Sequence, residues 1–122
     1  CSSSLDGQHV FAANWTHGRV EIIETISNTI VDTVITGGGS LKMRTSNNGQ
    51  YVFCSNHNAN TVSVIDANTF NLVTNVPVGN VPRNIALSPD DSRLYLSNWS
   101  DWTMSVIDTQ DWTTLAVVAV DY

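Results

Sequence analysis

The strongest constraint on the fold of this chain is an internal repeat of 42 residues that recurs without an insertion. Asn14, Asn56 and Asn98 close three similar segments, at residues 10–14, 52–56 and 94–98. The same offset aligns residues 20–24 with 62–66 and with 104–108. A fixed period of this length indicates one supersecondary unit that stacks on copies of itself.

Each repeat contains four short apolar stretches, rich in β-branched and aromatic residues, which predict strands. In the second copy they are residues 41–45, 50–56, 61–66 and 70–78. Turn residues such as Asn47-Asn48-Gly49 separate them. Four strands in about 40–45 residues, repeated, are typical of a β-propeller blade. A β-sandwich gives no reason for a fixed sequence period.

The sequence therefore predicts an all-β protein made of three four-stranded antiparallel blades of 42 residues each. The predicted blades are residues 1–36, 41–78 and 82–120. We refer to the four strands of a blade as a, b, c and d. In the first repeat, Gly37-Gly38-Gly39-Ser40 replaces the d–a loop that elsewhere contains proline, which predicts a more flexible backbone there.

Composition narrows the possible partners and the location. The net charge is −6, with 11 acidic and 5 basic residues, so a large basic face for nucleic acid is excluded. No apolar run approaches the ~20 residues of a membrane helix, so no membrane span is expected. Low charge, few lysines and many Thr and Asn favour an extracellular, periplasmic or cell-surface location.

Several segments resemble the YVTN β-propeller repeat family. Phe-Cys-Ser-Asn at 53–56 and Tyr-Leu-Ser-Asn at 95–98 stand in the place of Tyr-Val-Thr-Asn. Residues 60–66, the loop from Gly79 to Pro82, and residues 85–90 are also similar to that family. The family includes surface-layer and secreted proteins and shares no single catalytic motif. The resemblance thus implies the fold and export, but no catalytic residue.

Three blades are fewer than the 4–8 of most propellers. Both end blades should expose a sheet face that normally packs on a neighbouring blade. We expect the ring to be completed by a second copy, giving six blades with two-fold symmetry, or by the remaining blades of a longer chain.

The first candidate site lies at one repeat position, occupied by Trp15, His57 and Trp99. These residues follow the repeat asparagine directly and are predicted to lie in the b–c loops. They are candidates for a stacking platform that binds a sugar, a quinone or a peptide. The alternative is that they pack on neighbouring loops and have no ligand.

The second candidate is a pair of cations, Lys42 and Arg83, in the d–a region nearest the central channel. Arg44 follows two residues after Lys42. Together these side chains are candidates for drawing an anion to the mouth of the channel. The alternative is a few solvated charges on an acidic protein.

No catalytic or metal-binding arrangement is evident. His9, His17 and His57 occupy three different repeat positions with no ligand spacing, so no metal site is expected. No nucleophile elbow or phosphate-binding loop is present. Asp66 and Asp108 recur where a carboxylate forms a turn. The sequence therefore favours a non-enzymatic binding or scaffold module with no cofactor.

The alternative function is a segment of a propeller domain in a quinone- or haem-dependent oxidoreductase. That function requires further chain, because these 122 residues contain no haem-attachment motif and no evident cofactor cage.

Two cysteines and two asparagines leave questions open. Cys1-Ser2-Ser3-Ser4 resembles the start of mature bacterial lipoproteins, whereas the repeat assigns Cys1 to the core position of Met43 and Ile85. A disulfide between Cys1 and Cys54 is open, because it needs Cα atoms within ~7 Å. Asn14 and Asn98 fit the glycosylation pattern.

Overall fold

A computed structural model describes residues 1–120 and contains twelve strands in three four-stranded antiparallel sheets. The first blade has β1 (Ser2–Ser3), β2 (His9–Asn14), β3 (Arg19–Glu24) and β4 (Thr29–Ile35). The second has β5 (Ser40–Thr45), β6 (Tyr51–Asn56), β7 (Thr61–Asp66) and β8 (Leu72–Pro77). The third has β9 (Pro82–Leu87), β10 (Arg93–Asn98), β11 (Thr103–Asp108) and β12 (Thr114–Ala119). The predicted architecture of three four-stranded blades is confirmed.

Each sheet follows chain order, so every connection inside a blade is a hairpin. The b–c hairpins place Gly18, Asn60 and Trp102 in the left-handed region, at φ of 58°, 55° and 53°. Glycine and asparagine adopt this conformation readily, whereas a tryptophan there is uncommon. The shared geometry of the repeat therefore decides the backbone at this position, whichever residue occupies it. No helix long and apolar enough to span a bilayer occurs within residues 1–120.

The core lies between the blades. Phe11, Val20 and Ile22 of the first blade form one buried cluster with Val52 and Ile65 of the second. The opposite face of the second blade contributes Phe53, Val62, Val64 and Val76, which pack on Leu94, Leu96 and Ile107 of the third. Because both faces of β6 are covered, Val52 to Asn56 are all buried, without the alternation of a one-sided strand.

The assignment of Cys1 to the core is wrong, because Cys1 is exposed. The equivalent Met43 packs on the cluster shared with the first blade, and Ile85 on the cluster shared with the second. Within the described residues, no neighbouring blade covers Cys1 as the first blade covers Met43. Cys54 is fully buried as the repeat predicts, and both cysteines are free thiols.

The repeat asparagine lies inside the blade. Asn98 is 2% exposed, and its Nδ2 donates to Thr103 Oγ1 at 3.1 Å and to Ser105 Oγ at 2.9 Å. The glycosylation pattern at Asn98 is therefore inaccessible in the folded blade. Asn14 is half-buried, and its Nδ2 lies 3.5 Å from Glu21 Oε1.

Candidate functional site

The first strands of the blades line a common axis, since β5 contacts both β1 and β9. At one end of this axis is a cavity of about 370 Å³. It is bounded by the b–c turns of the first two blades and by the first strands of the second and third. The lining residues are Trp15, Leu41, Lys42, His57, Arg83 and Asn84.

Bulges in β5 and β9 place side chains at this cavity. The register of β5 against β6 and of β9 against β10 shifts close to the cavity. At the irregularity, Lys42 N donates to Ser55 Oγ, and the equivalent Asn84 N donates to Ser97 Oγ, both at 3.2 Å. Ser55 Oγ in turn donates to Arg83 O at 3.0 Å. The serine hydroxyls therefore satisfy the amides that the bulges free, and Ser55 joins the second blade to the third.

Trp15 and His57 meet across the first two blades, with ring centroids 4.8 Å apart. The backbone N of His57 donates to Gly39 O at 2.9 Å. Its ring Nδ1 lies 3.0 Å from Asn58 Oδ1, which only accepts hydrogen bonds. A hydrogen bond in this pair therefore requires Nδ1 to donate, which leaves Nε2 as the ring nitrogen that could bind a ligand.

Arg83 stacks on Trp99 of its own blade, with the guanidinium carbon 4.3 Å from the ring centroid. The Trp99 ring also packs on Trp102, with centroids 5.7 Å apart. Of the five residues that the sequence singled out, four line the cavity. The fifth, Trp99, contacts it through Arg83. The sequence analysis missed Leu41 and Asn84, although Asn84 is the repeat equivalent of Lys42.

The basic residues divide by location. Arg19 pairs with Glu21 at 2.7 Å in β3, and Arg93 lies 3.8 Å from Asp108. The other three lie on β5 and β9, strands without Asp or Glu, and have no carboxylate partner within residues 1–120: Lys42, Arg44 and Arg83. A chain with a net charge of −6 thus keeps its unpaired cations on the strands that line the axis, which favours an anionic ligand there.

The remaining candidates lie elsewhere. His9 contacts Phe70 at 5.0 Å between ring centroids, and the His17 ring is 3.1 Å from Asn14 Oδ1. No group of three metal-ligating side chains occurs in the described part of the chain. Asp66 Oδ1 accepts from the amides of Asn68 and Thr69, and these bonds, the Thr69 bond first, lower the pKa of Asp66. Asp66 therefore has the turn-forming role that the sequence predicts.

Solved structures share this fold at low sequence identity. Hydrazine synthase of Kuenenia stuttgartiensis superposes with a TM-score of 0.90 at 22% identity, covering 99% of this chain and 35% of that one. The dihydro-heme d1 dehydrogenase NirN gives 0.82 at 17% identity, covering 91% of this chain and 24% of that one. The periplasmic gluconolactonase PpgL of Pseudomonas aeruginosa gives 0.82 at 21%, covering 97% and 38%.

The chain thus spans from about a quarter to two fifths of the length of these proteins, and the similarity establishes a β-propeller fold. These structures support the propeller implied by the YVTN resemblance and do not identify that family. No curated protein sequence matches the chain. The profile of one family, described as the cytochrome D1 heme domain, matches residues 1–116. Because this match covers nearly the whole sequence, the chain belongs to the cytochrome D1 heme domain family.

Proposed function

We propose that this chain is a segment of a haem-binding β-propeller in an oxidoreductase, and that it forms one wall of the haem site. The observation that carries the proposal is the convergence of His57, Trp15, Lys42 and Arg83 on one cavity at the end of the propeller axis. Family membership supports haem as the ligand. The sequence motifs alone had predicted no cofactor.

The residues at the cavity fit such a group. His57 would hold the iron through Nε2, since histidine is a common ligand of haem iron. Its other nitrogen donates to Asn58, as is usual for metal-ligating histidines. The Trp15 indole offers an apolar face, and Lys42 and Arg83 offer positive charge to carboxylates. When bound, haem supplies one-electron redox chemistry, and these side chains bind and orient it.

The end faces of the chain support completion of the ring by further blades. Four residues on the free face of the third blade are at least partly exposed: Tyr95, Met104, Val106 and Val118. Their equivalents in the second blade are at most 4% exposed, because the third blade covers them: Phe53, Val62, Val64 and Val76. A blade of the same repeat type would cover the free face in the same way.

We favour completion by the remaining blades of a longer chain, because the three blades superpose with a TM-score of 0.90 on about a third of a longer protein. The homodimer predicted from the sequence is the alternative.

We also propose that the protein is located outside the cytoplasm, as its composition predicts. The name of the periplasmic gluconolactonase, which has the same fold, supports this location.

A second candidate function is a binding or scaffold module without a cofactor. The observation in its favour is the group of exposed indoles near the cavity end, with Trp15 at 43%, Trp99 at 51% and Trp102 at 42% exposure. A rigid ring that presents such rings suits a planar or sugar ligand. The absence of a haem spectrum after the titration below would favour this second function.

The test is a titration of the purified chain with ferric haem, followed by Soret absorbance. We expect saturable binding with a shifted Soret band, and at least about tenfold weaker binding by His57→Ala, since this variant would lack the proposed ligand of the iron. His17→Ala is the matched control, because His17 is an exposed histidine in the b–c turn of the first blade, outside the cavity lining. Circular dichroism verifies that each variant is folded. No binding by the folded wild-type chain, or equal binding by His57→Ala, would refute the proposal.

A further inference from the structure

We propose that Trp99 is a positioning residue that holds Arg83 at the rim of the cavity, so that the guanidinium edge binds a carboxylate of the ligand. This inference rests on the proposed function, because it takes the ligand to be a haem with free carboxylates. It adds a subsite and assigns a role to a residue outside the cavity lining.

The contact with Trp99 leaves the N–H groups of Arg83 available. The guanidinium carbon lies 4.3 Å from the centre of the Trp99 ring, so the cation lies over the face of the indole. All five N–H donors of a guanidinium lie in its plane, where they match a carboxylate in bidentate fashion. Within residues 1–120 these N–H groups have no protein acceptor. The hydrogen bond from Ser55 reaches the backbone carbonyl of Arg83 and not its side chain.

The position of Trp99 is itself fixed. Its backbone N donates to Val81 O at 2.9 Å, which ties the b–c turn to the d–a loop just before Arg83. Its ring packs on Trp102, and the preceding residue, Asn98, is buried in the blade. Because Trp99 is held in this way, its ring restricts the rotamers of the long Arg83 side chain. Arg83 then loses less conformational entropy when it binds a ligand.

The repeat shows that the blade does not require this pair. In the second blade the positions of Arg83 and Trp99 are taken by Leu41 and His57. The second blade therefore has an aliphatic residue and an imidazole at these two positions, whereas the third blade has a cation and an indole. The backbone contact persists, since His57 N donates to Gly39 O as Trp99 N donates to Val81 O. The contact between Arg83 and Trp99 is thus specific to the third blade, while the loop backbone has the same geometry in both blades.

The chemistry of the subsite points to a carboxylate. A planar fork of N–H donors recognises two carboxylate oxygens with parallel, charge-assisted bonds. Lys42 borders the same cavity and supplies a second positive charge. A flat ligand with carboxylate arms would satisfy both cations, and Trp15 and His57 would be available to its ring.

The experiment compares ferric haem with its dimethyl ester, which keeps the ring and the iron but has no carboxylates. We expect the wild-type chain to bind the free acid more tightly than the ester. Arg83→Ala should weaken binding of the acid about 10- to 100-fold, the loss expected for charged hydrogen bonds. Trp99→Ala should weaken it about 2- to 5-fold, the loss expected for an exposed cation–π contact. Neither substitution should change binding of the ester.

Controls separate positioning from folding. Trp99→Phe keeps an aromatic face and should restore most of the preference for the acid. Arg93→Ala removes a cation that lies near Asp108, away from the cavity, and should bind both forms as the wild type does. If Trp99→Ala weakens both forms equally, or if the wild type binds both forms equally, the subsite is refuted and the haem site stands. If the folded wild type binds neither form, the proposed function itself fails.

Discussion

The repeat asparagine gives a mutational test with internal controls, because one residue type occupies one position in three blades. Asn56 is fully buried. Its two Nδ2 hydrogens are shared among three acceptors, Ser63 Oγ at 2.7 Å, Thr61 Oγ1 at 3.0 Å and Thr36 O at 3.3 Å. Its Oδ1 accepts from Ser40 Oγ at 3.3 Å. Every polar atom of this side chain is therefore satisfied, and the bond to Thr36 reaches the first blade.

Asn98 has the same burial and fewer bonds. Its Nδ2 donates to Thr103 and Ser105, but its buried Oδ1 has no partner within the described residues. The cause is local: Pro82 stands where the second blade has Ser40, so the hydroxyl donor is missing. An unpaired buried acceptor retains its desolvation penalty in the folded state.

These differences give different costs for the substitution to alanine. A hydrogen bond contributes about 1 kcal/mol net, so Asn56→Ala, which loses two donated bonds and one accepted bond, should lower the free energy of unfolding by about 3 kcal/mol. Asn98→Ala loses two bonds and removes an unpaired acceptor that costs about 1–3 kcal/mol, so its net effect should be about 1 kcal/mol or less. Asn14→Ala, at a half-buried position, should also have a small effect.

The assay is urea unfolding followed by far-UV circular dichroism, with the slope m compared between variants to verify that the transition is unchanged. An equal loss of stability for Asn56→Ala and Asn98→Ala would refute the reasoning. Pro82→Ser supplies the missing hydroxyl, so in that background Asn98→Ala should cost more. Additive effects of these two substitutions would also contradict the assignment.

Three further outcomes are expected. Hydrogen bonds, first from the Ser92 hydroxyl, lower the pKa of Asp90 from 3.8 to about 2. The ionised Asp90 therefore stabilises the fold fully above pH 3.8, and this contribution is lost as the pH falls towards 2. Unfolding of Asp90→Asn measured against pH should show a weaker dependence in that window. Burial raises the pKa of the Cys54 thiol to about 11, so a thiol reagent at pH 8 should modify exposed Cys1 alone until the chain is unfolded. Asp101 accepts from the backbone N of Asn80 at 2.7 Å and from its side chain at 2.8 Å, so Asp101→Ala should speed amide exchange in that d–a loop with little change in global unfolding.

The two d–a loops explain why the glycine segment differs from the others. In the second loop, three polar side chains form a hydrogen-bonded chain across the blades: Asn60, Asn80 and Asp101. Their equivalents in the first loop are Gly18, Gly38 and Ala59, which have no such groups. Instead the backbones approach closely, since a Cβ on Gly18 would lie 2.6 Å from Gly38 N. The sequence predicted greater flexibility here, and that prediction remains to be measured by amide exchange.

Much of the site could be predicted from the sequence, because its residues recur at positions that the repeat defines. Trp15 and His57 follow the repeat asparagine, and Lys42 lies just after the d–a loop. The blade geometry that is common to propellers brings these positions to one end. The contact of Arg83 with Trp99 could not be predicted, because both side chains have several rotamers, and packing selects among them.

The sequence by itself determined the blades, their strands and their turns, because these features depend on local patterns that repeat every 42 residues. Only the tertiary structure decided which residues at the same repeat position also have the same surroundings. Cys1 and Met43 share a repeat position, yet within the described residues a neighbouring blade packs on Met43 alone. Asn56 and Asn98 share another, yet Pro82 in place of Ser40 leaves the Asn98 oxygen without a partner among the described residues. A repeat fixes the conformation of each unit, whereas burial and hydrogen bonding depend on the neighbour that the unit meets in space.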